Sequence, residues 1–276
     1  MTGLKITGLG RAIVICAGAL VGALSSLLLG RAHPFGNAGL YGPGPRYEPR
    51  VIMEHAGVPP AVREMLTTKC ADCHSAQTRA PLYGRFAPIS WLMERDIVEA
   101  RNAMDLSLWE QYSAEEQEVF KAEIATLVKR RAMPPLQYRV IHRNATITDT
   151  DVAALNEWSR GRLVRVSDSP GQIVTEGDGM RGRDVFERRC TGCHAMEQNR
   201  EGPRLRGVFG RTSGSVAGFD YSPALAKAHI VWNERTLEQW LADPDALVPG
   251  NNMEFHVAKP QERQDLIRFL RDSAGK

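Results

Sequence analysis

Two short stretches place cysteine and histidine at a spacing that can do chemistry. Cys190-Thr-Gly-Cys193-His194 and Cys70-Ala-Asp-Cys73-His74 both spell Cys-x-x-Cys-His. In this arrangement two thiols can add to the vinyl groups of a haem, and the histidine that follows is tethered within reach of its iron, so each pentad reads as a c-type haem attachment site. Zinc ribbons also use Cys-x-x-Cys pairs, but about 15 to 20 residues apart. Here 116 residues separate Cys73 from Cys190. A thioredoxin-like dithiol needs no histidine after its second cysteine, and needs it even less twice. The pentads therefore predict two covalently bound haem c groups, with His74 and His194 as iron ligands.

A haem held by one histidine takes a sixth ligand or keeps an open face, and that choice separates a carrier from a catalyst. For the first haem the candidate is Met133, which lies between Ala132 and the rigid pair Pro134-Pro135. A thioether is a soft ligand that raises the reduction potential, and the prolines would hold its loop still. His142 is the rival, and bis-histidine ligation would lower the potential.

The elements that must hold these groups are helical throughout. The expected fold is all-α, two small helical c-type haem domains in tandem after an N-terminal transmembrane helix. Ser113 followed by Glu116, and Thr148 followed by Asp151, read as capping boxes. After the first, Val119, Phe120, Ile124, Leu127 and Val128 recur at helical spacing; after the second come Val152, Leu155 and Trp158, with Gly161 as terminator. Asp178 is placed to cap a helix that carries Val185 and Phe186 and runs into Cys190. Pro260 suits the first turn of a last helix with Leu266, Ile267, Phe269 and Leu270. The chain divides accordingly into an anchor over 1–30, a Pro/Gly-rich linker over 31–50, a first haem domain over 51–160, a linker over 161–177 and a second haem domain over 178–276.

Residues 12–29 carry no charge, and as a helix they would cover about 27 Å, close to the thickness of a bilayer core. A cleaved signal peptide is the alternative, but its apolar core is usually shorter, about 7 to 15 residues. Lys5 and Arg11 place the N-terminus in the cytoplasm by the positive-inside rule, with Arg31 as mild counter-evidence. Haem attachment to this motif takes place on the outer side of the bacterial cytoplasmic membrane, so both haem domains are expected in the periplasm. Cys16 follows the bulky Ile15 where lipid acylation wants a small residue, and reads as a buried apolar residue. With four of five cysteines in the pentads no disulfide framework is indicated, and a net charge of +3 over 276 residues does not suggest nucleic acid binding.

Cys70 to Ser75, Pro81-Leu82-Tyr83, Ala87-Pro88-Ile89-Ser90-Trp91-Leu92, Asp96-Ile97, Met133-Pro134-Pro135 and Tyr138 together resemble the bacterial haem-binding domains with a CxxCHS start and an MPP loop. The resemblance implies that Trp91 packs near the porphyrin. Leu82 departs from the tryptophan usual there. From residue 178 onward the chain resembles class I cytochromes c of the mitochondrial and cytochrome c2 type. The motifs are Gly202-Pro203-Arg204-Leu205-Arg206-Gly207, Phe219-Asp220-Tyr221-Ser222, Trp232, Thr236 to Leu241, and Pro249-Gly250-Asn251-Asn252-Met253. That resemblance implies His194 and Met253 as axial ligands and the Pro203 carbonyl as acceptor from the other nitrogen of His194. It also implies that Arg211, Tyr221 and Trp232 bond or shield the haem propionates, and that Gly182, Phe186 and Phe269 pack the terminal helices. Trp240 stands where tyrosine is usual near the ligand methionine, and Leu225 where asparagine is common, so the potential does not carry over.

The expected function is a membrane-anchored dihaem carrier that moves single electrons on the periplasmic side. Its donor would be a quinol-oxidising complex or a dehydrogenase, and its acceptor a terminal oxidase or another cytochrome. The alternatives are a dihaem peroxidase, or a fixed cytochrome subunit of a larger oxidoreductase; a haem-based sensor would need a signalling domain. Arginines 181, 183, 188, 189, 200, 204, 206 and 211 read either as a solvated surface or as a basic rim that would steer an acidic partner.

Overall fold

A computed structural model describes residues 8–36, 53, 57–161 and 174–275, with side chains from residue 13. The expected linker over 31–50 lies largely outside the described residues, as does most of that over 161–177, and Lys5 and the side chain of Arg11 lie outside them too. Among the described residues the chain is helical, with one isolated bridge between Thr212 and Val231. The helices are α1 Gly8–Leu29, α2 Pro60–Lys69, α3 Ala71–His74, α4 Ile89–Ala103, α5 Ala114–Lys129, α6 Leu136–Ile141, α7 Asp149–Arg160, α8 Gly179–Arg189, α9 Pro223–Lys227, α10 Glu234–Ala242, α11 Pro244–Leu247 and α12 Pro260–Asp272.

By packing, the chain forms two compact units. One holds residues 1–54 and 66–109, the other 55–65 and 110–276. In the first, α3 packs on α4 around Leu66, Ala71, Ile97 and Leu106. The end of α1 belongs to this unit. The Ser26 hydroxyl donates to the Ala87 carbonyl at 2.6 Å, and the Trp91 indole N–H is shared between the carbonyls of Leu29 and Ala32 at 3.2 and 3.1 Å. Earlier in α1 the apolar side chains are exposed, Ile15 at 70 % and Leu20 at 64 %. Cys16, expected as a buried apolar residue, is also exposed, because this part of the helix has no core to enter. Among the described residues no helix is long and apolar enough to cross a membrane.

In the second unit the terminal helices α8 and α12 cross closely, and α10 packs on α12. The crossing depends on Gly182. A side-chain carbon there would run into the Asp265 carbonyl of α12, so only hydrogen fits. Phe186 and Phe269 close the crossing with ring centroids 5.5 Å apart. Val208, Trp232, Leu241 and Leu266 are buried in the core below it.

Local signals set the ends of these helices. The capping boxes at Ser113 and Thr148 form with both hydrogen bonds, the Asp178 carboxylate accepts from the N–H groups of Met180 and Arg181, and Gly161 ends α7 with φ 61°. On α5, Ala122, Ile124, Ala125 and Val128 are buried. That helix packs on α7 and also on α8, within the second unit.

Candidate haem sites

The two pentads fold alike. In each, the N–H groups of the second cysteine and of the histidine donate to the carbonyl of the first cysteine: Cys73 and His74 to Cys70 at 3.2 and 3.0 Å, Cys193 and His194 to Cys190 at 3.2 and 2.8 Å. One tight turn thus brings two sulfurs and an imidazole to one place. In each the imidazole Nδ1 then meets a backbone carbonyl. His194 meets Pro203 at 2.8 Å and His74 meets Met104 at 3.1 Å. A ring that donates from Nδ1 leaves Nε2 unprotonated and aimed, which is the form a metal takes. Burial lowers the pKa of both histidines and so favours that neutral form.

In the first unit, Ser75 explains the sixth residue of the CxxCHS motif. Its fully buried hydroxyl donates to the Ala71 carbonyl at 2.7 Å and accepts from the Gln77 N–H at 3.1 Å, which locks the turn leaving the pentad. Arg101 holds the same turn, bonding the Ser75 carbonyl and the Thr78 hydroxyl, each at 2.9 Å. Burial, helped by the Asp72 and Asp96 charges, pushes the Cys73 thiol up to about 11. Trp91, assigned to the porphyrin by resemblance, has its indole N–H engaged by the end of α1. The acceptor for His74 had no signature in the sequence, since Met104 contributes only its main chain.

Met133 and His142 both belong to the second unit. Met133 is 38 % exposed, and its N–H donates to the Leu127 carbonyl at 3.3 Å, so its loop folds back on the end of α5. The ring of His142 stacks on Tyr138 with centroids 4.2 Å apart, an apolar use of that imidazole.

The second site is a cavity of about 1320 Å³ including its open mouth. Cys190, Cys193, His194 and Met253 all line it. Its walls are largely apolar, with Val208, Leu237, Leu241, Leu266 and Phe255 among them. Burial pushes both thiols up to about 12. Gly202 is the floor under His194: a side-chain carbon there would run into the imidazole ring. Trp232 and Trp240 stand together with centroids 5.3 Å apart, 7 % and 8 % exposed. Arg211 and Tyr221 are the polar groups at this wall. The guanidinium donates to the carbonyls of Arg206 and Arg204 at 3.1 and 2.9 Å, which fixes it in place as a cation beside an apolar pocket. Pro203, Arg211, Tyr221, Trp232 and Trp240 line the same cavity as His194 and Met253, and the Pro203 carbonyl meets the imidazole.

These residues fit a covalently held haem. The attachment sulfurs, an aimed imidazole, a thioether and a cation for carboxylates share one apolar cavity.

Sequence reasoning missed two sets of residues here. Asn251, fully buried, accepts from the Met253 N–H at 2.7 Å and donates to Asp245 at 2.8 Å and to the Val248 carbonyl at 3.0 Å. Val119, Ala122 and Thr126 of α5, and Arg130 just after it, also line the cavity. Of these only Val119 belongs to the apolar face expected from the sequence, and no local pattern says which core a helix face enters. The basic rim likewise changes meaning. Arg188 pairs with Glu115 of α5 at 3.7 Å, Arg189 with Glu118 of α5 and with Glu262, Arg181 with Asp265, and Arg206 with Glu197.

Comparison with known proteins matches two successive segments of the chain. Residues 45–161 match the family of haem-binding domains, and residues 179–274 match the cytochrome c family. Among the similar proteins are the cytochrome c of Chlamydomonas reinhardtii, 44 % identical over 103 residues (36 % of this chain, 92 % of that protein), and that of Stellaria longipes, 44 % identical over 102 residues (36 % and 94 %). Cytochrome c 2.1 of Caenorhabditis elegans is 40 % identical over 106 residues, covering 37 % and 96 %. Among solved structures, cytochrome cH from Methylobacterium extorquens is 39 % identical and aligns with 35 % of this chain and 99 % of its own, at a TM-score of 0.34.

Proposed function

The chain belongs to the cytochrome c family through the domain that follows its haem-binding domain, and from that premise we propose that it is a membrane-anchored dihaem electron carrier. The family implies electron transfer. The observation that carries the reading for this chain is the convergence of Cys190, Cys193, the Pro203-bonded His194 and Met253 on one apolar cavity. The matching backbone turn at Cys70–His74, with its own carbonyl for the imidazole, supports a second attachment site.

When bound, haem c supplies a one-electron couple at its iron. What the chain does is hold and exclude. Cys190 and Cys193 would fix the group, Pro203 sets the tautomer and direction of His194, and Met253 would offer its thioether to the iron. Leu237, Leu241 and Leu266 keep water away, and Arg211 offers a charge to carboxylates. With His74 and Met133 in the corresponding roles at the first site, neither iron would take up substrate.

The exposed apolar run of α1 supports a role as the anchor, with both haem domains on the periplasmic side. Donor and acceptor would be membrane-bound or periplasmic redox proteins: a quinol-oxidising complex or dehydrogenase on one side, a terminal oxidase or another cytochrome on the other.

The near-infrared spectrum of the oxidised protein tests the ligand assignment. Two methionine-to-iron charge-transfer bands are expected, one lost in Met133→Ala and the other in Met253→Ala. A high-spin first haem would overturn the carrier and support a peroxidase, and a bis-histidine first haem would move the ligand to His142.

A further inference from the structure

Helix α5 belongs in sequence to the segment matched as a haem-binding domain, yet Val119, Ala122 and Thr126 of the helix, with Arg130 just after it, line the cavity of the cytochrome c domain. It is held there along its length. At its start Glu115 and Glu118 meet Arg188 and Arg189, the two residues before Cys190. In the middle, Val119 approaches Gly192, inside the attachment pentad itself. At its end Lys129 pairs with Glu254, the residue after Met253, and the Arg130 guanidinium donates to the Glu201 carbonyl at 2.6 Å.

Glu254 is the centre of this contact. Its side chain is 1 % exposed, and an unpaired carboxylate at that depth costs several kcal/mol. It is met by Lys129 of α5 and by Arg160 at the end of α7, the latter at 3.2 Å. Arg160 also pairs with Asp245, which in turn receives the Asn251 amide. The main chain on either side of the thioether is therefore tied: the Met253 N–H to Asn251, and the Glu254 N–H to the Thr126 hydroxyl of α5 at 3.4 Å.

We propose that α5 is a built-in cover for the second haem site, and that Lys129 and Arg160, acting through Glu254, are positioning residues for the loop that carries Met253. The proposal rests on the reading of His194 and Met253 as the axial pair. With the cover in place the loop cannot lift without breaking two ion pairs to the buried Glu254 carboxylate, so an exogenous ligand reaches the iron only when α5 and α7 let go. The cover also buries Arg189 against Glu118, which removes that guanidinium from any surface an acidic partner could meet.

The test uses the full-length, haem-loaded ferric protein and imidazole as the competing ligand. The hyperfine-shifted methyl resonance of Met253, identified by its loss in Met253→Ala, reports the second iron alone. Lys129→Met and Arg160→Met should keep that resonance without imidazole and lose it at an imidazole concentration about tenfold or more below that needed by the unaltered protein, tenfold being about 1.4 kcal/mol of loop opening. Lys129→Arg should restore most of the resistance, and Glu187→Gln, a surface change on α8, should leave it unchanged. An unaltered imidazole midpoint in both methionine variants would overturn the cover. No methyl resonance in the unaltered protein would instead overturn the axial assignment, and the latch with it.

Discussion

Asn251 and Gly202 act on the second site at the level of single atoms. Removing the Asn251 amide takes away the acceptor of the Met253 N–H and a donor to Asp245, in a place without water exposure. Each buried polar group left unpaired costs about 1–3 kcal/mol. Asn251→Ala should therefore lower stability by about 2–3 kcal/mol, and in a guanidinium titration the Met253 charge-transfer band should vanish before the helical signal does. At Gly202 the neighbour is an imidazole already bound to Pro203, so the ring cannot move aside freely. Gly202→Ala should cost about 1–3 kcal/mol as an overpacked site and shift the potential of the second haem by disturbing that bond. A redox titration in which only this haem moves would check it. Glu123 gives a pH dependence. Burial, helped by Glu201, raises its carboxyl from 4.5 to about 6. The folded chain thus holds this proton where the unfolded chain has released it, and stability falls as pH rises from about 4.5 to 6. Thermal midpoints across that window should show the decline in the unaltered protein and a flatter profile in Glu123→Gln.

At the scale of elements, helix ends were legible and helix destinations were not. Ser113 and Glu116 announce the start of α5 through atoms three residues apart, so the capping box could be read from four letters. Ser113→Ala should cost about 1 kcal/mol, lowering the thermal midpoint by a few degrees, with Ser113→Asp close to neutral. The Gly182 crossing was legible only through resemblance. Its physical basis is the Asp265 carbonyl pressing on α8, a partner separated by most of the domain. Gly182→Val should part α8 from α12 at a cost of about 3 kcal/mol or more, seen as loss of cooperative unfolding in the second domain. For α5 the apolar spacing correctly marked Ile124 and Val128 as buried. Nothing in that spacing distinguishes a haem-binding core from the cavity beside Cys190, because burial of an apolar face is not directional.

At the scale of the molecule, α1 packs into the first unit only by its end, and its earlier apolar side chains are exposed. The proposed anchor predicts that the chain fractionates with membranes and resists high salt, and that proteolytic removal of the residues before Ser26 from the haem-loaded protein releases it to the soluble fraction with both haem spectra intact; recovery of the unaltered protein in the soluble fraction would sink the anchor. Trp91 has a partner that the sequence did not signal: its N–H reaches two carbonyls about 60 positions earlier in the chain, at the end of α1. The sequence by itself determined the haem chemistry, the helical class and the order of the two domains. Covalent attachment needs cysteines and histidine at a strict local spacing, and caps act within one helical turn. Tertiary structure alone decided which carbonyl aims His74, what holds Met253, and where α5 lies. Lys129 and Glu254 stand 125 positions apart, and a lysine meeting a glutamate across that span leaves no pattern along the chain, because the pairing depends on where two helices pack and not on what precedes either residue.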